Sequence, residues 1–126
     1  MAPDLSEAAT VLVVEDDDAV RMVVGKILTQ FGYRVVEACD GWQALVVAQS
    51  QPIHLVLSDV VMPKLSGPQM ASRLRNAFGL TKVLFMSGYS QDWLARSGAF
   101  GPSDPFIAKP FSPEALAAKV REVLDV

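Results

Sequence analysis

The sequence contains one cysteine, Cys39, among 126 residues. An internal disulfide is therefore excluded, and the chain is consistent with a reducing compartment. It also contains one histidine, His54. A His- and Cys-built zinc site has almost nothing to draw on. Positive charge is not in excess: 11 basic and 14 acidic side chains leave a net charge of −3. That gives no electrostatic case for a nucleic-acid surface or for direct contact with an anionic membrane. No apolar run approaches the ~20 residues that cross a bilayer. The opening MAPDLSEAAT has no basic segment leading into an apolar one, so no secretory signal is expected. Internal repeats, low-complexity tracts and interdomain linkers are all lacking.

What remains is an ordinary globular composition, 51% apolar and 20% charged. The length suits one domain with a real core. We expect a short polar lead-in over residues 1–9 and one domain over 10–126.

Hydrophobic periodicity divides that domain into alternating elements. Val11–Val14 is a β-branched run with the character of a strand buried on both faces. Val20, Val23, Val24, Ile27, Leu28 and Phe31 then form one helical stripe, stopped by Gly32. Arg34–Val36 reads as a second strand. A helix follows from Gly41 to Gln49, with Leu45 and Ala48 turned inward. Ile53–Ser58 reads as a third strand. Ser66-Gly67-Pro68 opens a helix whose inner face is Met70, Ala71 and Leu74. Lys82–Met86 is a fourth strand and Gln91–Arg96 a short helix. The Gly- and Pro-rich stretch 98–105 reads as a loop. Phe106–Ala108 is a short fifth strand. Ser112 and Pro113 open a last helix with Leu116, Val120, Val123 and Leu124 on its apolar side.

Five βα units imply an α/β fold: a doubly wound, five-stranded parallel sheet with five helices, of flavodoxin-like order 2-1-3-4-5. Glu15 and Asp16, Asp59, Ser87 and Lys109 each fall just after a strand. All of them should lie along the carboxyl edge of the sheet, where such folds bind ligands. Clustered carboxylates repel one another. A divalent cation relieves this, and so does an ammonium such as that of Lys109. The donors are all oxygen, which suits Mg²⁺. An aspartate beside Mg²⁺, an ammonium and a hydroxyl is arranged to accept a phosphoryl group as an acyl phosphate.

Four stretches, VLVVEDDDAVR, LVLSDVVMPKLSG, LFMSG and FIAKPFSPEAL, together resemble the response-regulator receiver domain over nearly the whole chain. The segment GAFGPSDPFIAKPF, with LFMSGYS and SPEALAAKVREVLD, is most similar to receiver domains at the C-terminal end of hybrid histidine kinases. The resemblance implies that Asp59 is the phospho-acceptor. It implies that Glu15 and Asp16 are the acidic pair, Ser87 the hydroxyl residue and Lys109 the lysine, followed by a usually cis Lys–Pro peptide. Mg²⁺ would be ligated by Asp16, Asp59 and the Val61 carbonyl, with Glu15 acting through water. The family's switch aromatic, often Tyr, is Phe106 here, which lacks the hydroxyl. Tyr89, two residues past Ser87, occupies a place where the family tunes water access to the phosphate. The implied partner is a histidine kinase or a histidine phosphotransfer domain in the cytoplasm. The implied role is a signalling switch and not a turnover enzyme.

Three other readings use the same features. A haloacid-dehalogenase-type phosphatase would need a second acid where this chain has Val61. An FMN binder would need a phosphate-cradling loop where Glu15-Asp16-Asp17-Asp18 stands. A phosphorylation-independent interaction module would not need every site position filled by a competent residue. His54 alone reads as a strand-start residue and not as a phosphorylated histidine. Trp42, Trp93 and Tyr89 are expected to pack against helices.

Overall fold

The computed structural model describes residues 9–79, 82–98 and 104–125. Along them run β1 (Thr10–Val14), α1 (Asp18–Gln30), β2 (Arg34–Ala38), α2 (Gly41–Ser50) and β3 (Leu55–Asp59). They are followed by α3 (Gly67–Phe78), β4 (Val83–Ser87), α4 (Gln91–Arg96), β5 (Phe106–Ala108) and α5 (Pro113–Leu124). Every strand pairing is parallel, and the order is β2-β1-β3-β4-β5. The expected doubly wound sheet is the one observed.

Side chains alternate across a strand, and that alternation sorts the core into two layers. Val11 and Val13 of β1, Leu55 and Leu57 of β3, and Leu84 and Met86 of β4 face one way. They pack against Val24, Ile27 and Leu28 of α1 and Leu116, Val120 and Val123 of α5. Leu12, Val14, Val56, Val83 and Phe85 face the other way, against Ala44 of α2, Met70, Ala71 and Leu74 of α3 and Leu94 of α4. Each fully buried Leu or Val contributes roughly 1.5–3 kcal/mol relative to exposure. Two covered faces explain why β1, β3 and β4 are apolar without alternation.

Each helix starts on a capping side chain just beyond a strand. Asp17 accepts from the Ala19 and Val20 amides, Asp40 from Gln43, Ser90 from Trp93 and Ser112 from Ala115. Ser66 and Gln69 form a reciprocal capping box at α3. A cap of this kind stabilises a helix by about 1 kcal/mol. Here the caps also hold the loops at the carboxyl edge of the sheet.

The structure corrects several boundaries and burials. β3 begins at Leu55, not Ile53, and reaches Asp59 itself. β4 runs one residue later than expected and ends on Ser87. His54 is exposed and precedes β3. It sits at the opposite sheet edge from Asp59, where its Nδ1 accepts the Thr10 amide at 2.9 Å. In α1, Val23 and Phe31 are exposed although the apolar stripe includes them. The buried face is rotated toward Gly25. A Cβ on Gly25 would stand 2.9 Å from Glu37 Oε2 and 3.6 Å from Val35 Cγ1, both side-chain atoms of β2. β5 is an edge strand and only half-buried. Of the expected loop 98–105 and lead-in 1–9, residues 99–103 and 1–8 lie outside the described residues.

Candidate functional site

The carboxyl edge brings the acidic residues together. Glu15 continues β1 by one residue, its amide donating to the Ala38 carbonyl at 3.1 Å. Asp59 is the last residue of β3, one strand over. One carboxylate oxygen from each of Glu15, Asp16 and Asp59 lies within 4.8 Å of the others. Glu15 is buried, Asp59 partly buried and Asp16 exposed, so the cluster opens to solvent on one side.

Lys109 reaches this cluster from the end of β5. Its amide donates to the Ser87 carbonyl at 2.9 Å, and the Lys109–Pro110 peptide is cis, as expected. Lys109 Nζ lies 2.8 Å from Glu15 Oε1 and 3.6 Å from Asp59 Oδ1. Its shorter contact is therefore with the first acid and not with Asp59. Glu15 Oε2 also accepts the Asp17 amide at 3.1 Å. That buried carboxylate thus has two donors.

Three carboxylates against one ammonium leave an excess of negative charge. The Asp59 carboxyl is pushed up from 3.8 to about 6. Burial is the main cause, followed by repulsion from Glu15. Attraction to Lys109 opposes the rise, and Asp16 adds to it. Burial works to lower the Lys109 pKa, but its hydrogen bond to Glu15 and its attraction to Asp59 and Glu15 outweigh that and leave it raised. A compact set of hard oxygen donors with surplus negative charge fits Mg²⁺, which takes one or two carboxylates and retains waters.

The turn after β3 is tightly folded. The Val60 amide donates to Met86, and the Val60 carbonyl accepts from Gly67 at 2.9 Å. Lys64 adopts φ 72°, a left-handed conformation that is uncommon outside glycine. Val61 is exposed within this turn. The Asp59 carbonyl accepts the Ser58 hydroxyl at 2.9 Å. A Cβ on Gly67 would stand 2.2 Å from that same carbonyl oxygen. Only glycine permits this approach.

On the other side of Asp59, Ser87 is buried, and its Oγ accepts the Tyr89 amide at 3.0 Å. The Tyr89 ring stacks on Trp93 with centroids 4.6 Å apart and planes 19° apart, and both rings are half-exposed. Trp42 is covered on one face by the Arg73 guanidinium, 4.9 Å from the ring centre. Phe106 pairs in register with Phe85 and packs, half-buried, into the layer under α2–α4.

Sequence reasoning located Glu15, Asp16, Asp59, Ser87 and Lys109 along this edge. It missed the supporting roles of Ser58, of Gly67 and of Arg21, whose Nη1 donates to the Glu15 carbonyl at 2.8 Å. A serine inside an apolar strand was the signal for the first. In sequence, Gly67 signals only a helix start. Arg21 was a cation in a first helical turn, where the macrodipole disfavours it.

Comparison with known proteins identifies the family. Residues 11–121 match the family described as response regulator receiver domain. The chain is 43% identical over 126 residues to the sensor kinase CckA of Brucella abortus, covering 98% of this chain and 13% of that protein. It is 35% identical over 115 residues to a probable transcriptional regulator, ycf27, of Cyanophora paradoxa, covering 90% of this chain and 47% of that one. The chain thus spans less than half the length of these curated relatives. Among solved structures, the receiver domain of the hybrid histidine kinase CckA superposes with a TM-score of 0.76 at 36% identity. That match covers 92% of this chain and 99% of the other. The chemotaxis response regulator CheY4 of Vibrio cholerae superposes with a TM-score of 0.81 at 30% identity, covering 92% and 98%. The chain belongs to the response-regulator receiver-domain family, whose general function is to accept a phosphoryl group.

Proposed function

We propose that residues 10–126 form a receiver domain that accepts a phosphoryl group on Asp59 and thereby switches a protein-interaction surface. The observation that carries this reading is the meeting of Glu15, Asp16 and Asp59 within 4.8 Å, with Lys109 Nζ 2.8 Å from the first and 3.6 Å from the last. The donor is a phosphohistidine on a histidine kinase or a histidine phosphotransfer domain. A carboxylate oxygen of Asp59 forms the new P–O bond while the P–N bond breaks and the imidazole leaves. Asp16, Asp59 and the Val61 carbonyl would hold Mg²⁺, with Glu15 supporting through water. Bound there, Mg²⁺ neutralises charge on the transferring group.

The chain's own residues do the rest. Lys109 stabilises a second phosphoryl oxygen with its ammonium, which requires it to shift from Glu15 toward Asp59. Ser87 turns its hydroxyl from the Tyr89 amide toward the phosphoryl group. A charge of about −1.5 to −2 then sits between β3 and β5 and draws the loops after β3 and β4 inward. Phe106 follows Ser87 without a hydroxyl to hydrogen-bond. The surface of α4, β5 and α5 carries the change to a partner. We read the domain as a cytoplasmic signalling switch and not a turnover enzyme. Among the described residues no helix is long and apolar enough to cross a membrane.

The test is incubation with Mg²⁺ and acetyl phosphate, followed by intact mass. One phosphate should be gained, it should map to Asp59, and Asp59→Asn should gain none. No gain in the parent protein, or an unchanged gain in Asp59→Asn, overturns the assignment.

A further inference from the structure

Arg21 stands in the first turn of α1, an unfavourable place for a cation. The N-terminal end of a helix carries partial positive charge, which disfavours a cation there. Its side chain is nevertheless only 17% exposed. Helical side chains lean toward the N-terminus, and this one folds back over the turn that carries Glu15 and Asp16. Each of its three nitrogens then has an acceptor. Nη1 donates to the Glu15 carbonyl at 2.8 Å. Nη2 donates to Asp18 Oδ1 at 2.6 Å. Nε lies 3.4 Å from Glu37 Oε1 on β2.

The Glu15 carbonyl lies one residue past Val14, the last β1 residue in register with both β2 and β3. It belongs to a buried residue, so it needs a donor. Arg21 supplies one. Gly25 leaves room beside the third contact, since a Cβ there would stand 2.9 Å from Glu37 Oε2. Asp18 and Glu37 balance the guanidinium charge, so Arg21 can brace the acidic turn without adding a net cation beside it.

We propose that Arg21 is a positioning residue for the divalent-cation site. It fixes the peptide between Glu15 and Asp16, with Glu37 and Gly25 as its support on the neighbouring strand and helix. The inference rests on the reading of Glu15, Asp16 and Asp59 as that site. A planar fork that satisfies three acceptors at fixed angles is a task for arginine, and lysine offers only a compact point charge. Arg21→Lys should therefore fail to restore what Arg21→Gln loses.

The experiment is calorimetric titration of Mg²⁺ into the parent chain, Arg21→Gln, Arg21→Lys and Glu37→Gln. It is run well below each unfolding temperature, with folding verified by circular dichroism. Supporting residues around a metal site alter affinity by roughly 10–100-fold when removed. Both Arg21 variants should lose about tenfold or more in Mg²⁺ affinity, and Glu37→Gln should lose less. The Asp16 and Asp17 amide resonances of the metal-free Arg21 variants should shift and broaden. A purely structural arginine would lower the unfolding temperature and leave the affinity of the folded protein alone. Parent-like Mg²⁺ affinity in folded Arg21→Gln or Arg21→Lys overturns the proposal. If Arg21→Gln does not fold, Arg21→Lys decides, and parent-like affinity in it overturns the proposal. If the parent chain itself fails to bind Mg²⁺, it is the reading of the acidic site that fails.

Discussion

Replacing Asp59 by Asn should stabilise the metal-free protein, with a pH dependence that identifies the cause. The Asp59 carboxyl is raised from 3.8 to about 6 by burial and by the charges of Glu15 and Asp16, against the pull of Lys109. The folded state therefore holds this proton more tightly than the unfolded chain does. Between about pH 4 and pH 6 the folded state binds more protons, so stability falls as pH rises through that window. Above it the ionised carboxylate carries a constant penalty. The full shift corresponds to about 3 kcal/mol. Asp59 borders the open side of the cluster, and solvent screening reduces this to about 1–2 kcal/mol.

Asn has nearly the shape of Asp and leaves the backbone contacts of Ser58 and Gly67 in place. The gain should therefore appear at neutral pH and vanish near pH 4. Urea unfolding in EDTA, followed by far-ultraviolet circular dichroism, gives both stabilities across that range. For a domain of this size, each kcal/mol corresponds to a Tm change of about 4 °C. Adding Mg²⁺ should then close the gap, because a ligand of the folded state stabilises the parent chain by mass action. An equal gain at pH ~4 and pH ~8 would show that packing, not charge, is responsible. No gain at neutral pH would refute the charge argument outright.

Lys109→Ala should destabilise the metal-free fold by about 2–4 kcal/mol, because it strips buried Glu15 of its ammonium. The same change should tighten Mg²⁺ binding by removing a cation, as calorimetry would register, while abolishing phosphoryl gain from acetyl phosphate. Gly67→Ala should cost about 2 kcal/mol or more in urea unfolding, because its Cβ meets the Asp59 carbonyl oxygen at 2.2 Å. It should also slow phosphoryl gain by displacing the acceptor. Ser87→Ala should leave Mg²⁺ affinity within about twofold yet slow phosphoryl gain roughly tenfold or more, read by mass against time.

Much of the fold was legible because two-sided burial leaves strong marks. β1, β3 and β4 are nearly continuous apolar runs, and α3 and α5 announce themselves by Ser-capped, Pro-containing starts. The misplaced detail lies where apolar residues exceed the area available to bury them. Val23 and Phe31 continue the α1 stripe in sequence, yet the helix turns Gly25 inward to approach β2. Periodicity cannot express that choice, because it weights a glycine as a gap. The β3 boundary slipped for a related reason. Ile53 is as strand-like as Leu55, and only the hydrogen bonds around His54 and Thr10 show where the ladder begins.

The site residues were legible as positions and not as partners. Strand ends fix which side chains reach the carboxyl edge, so Glu15, Asp16, Asp59, Ser87 and Lys109 could be named together. Which acid Lys109 meets depends on side-chain length and sheet twist. Glu15 carries one methylene more than an aspartate would, and its carboxylate lies nearer to Lys109 than Asp59 does. The ammonium is thereby drawn toward the first acid, while burial, and then repulsion from Glu15, keep the Asp59 pKa raised. On the proposed reading this is what readies the domain to respond. The acceptor has only the longer of the two Lys109 contacts, so a cation and then a phosphoryl group have charge left to neutralise there. Releasing Lys109 from Glu15 is the cost they must meet. On the same reading the resting contact of Lys109 with Glu15 sets a threshold for switching, and Glu15→Asp should lower it, read as faster phosphoryl gain by mass against time.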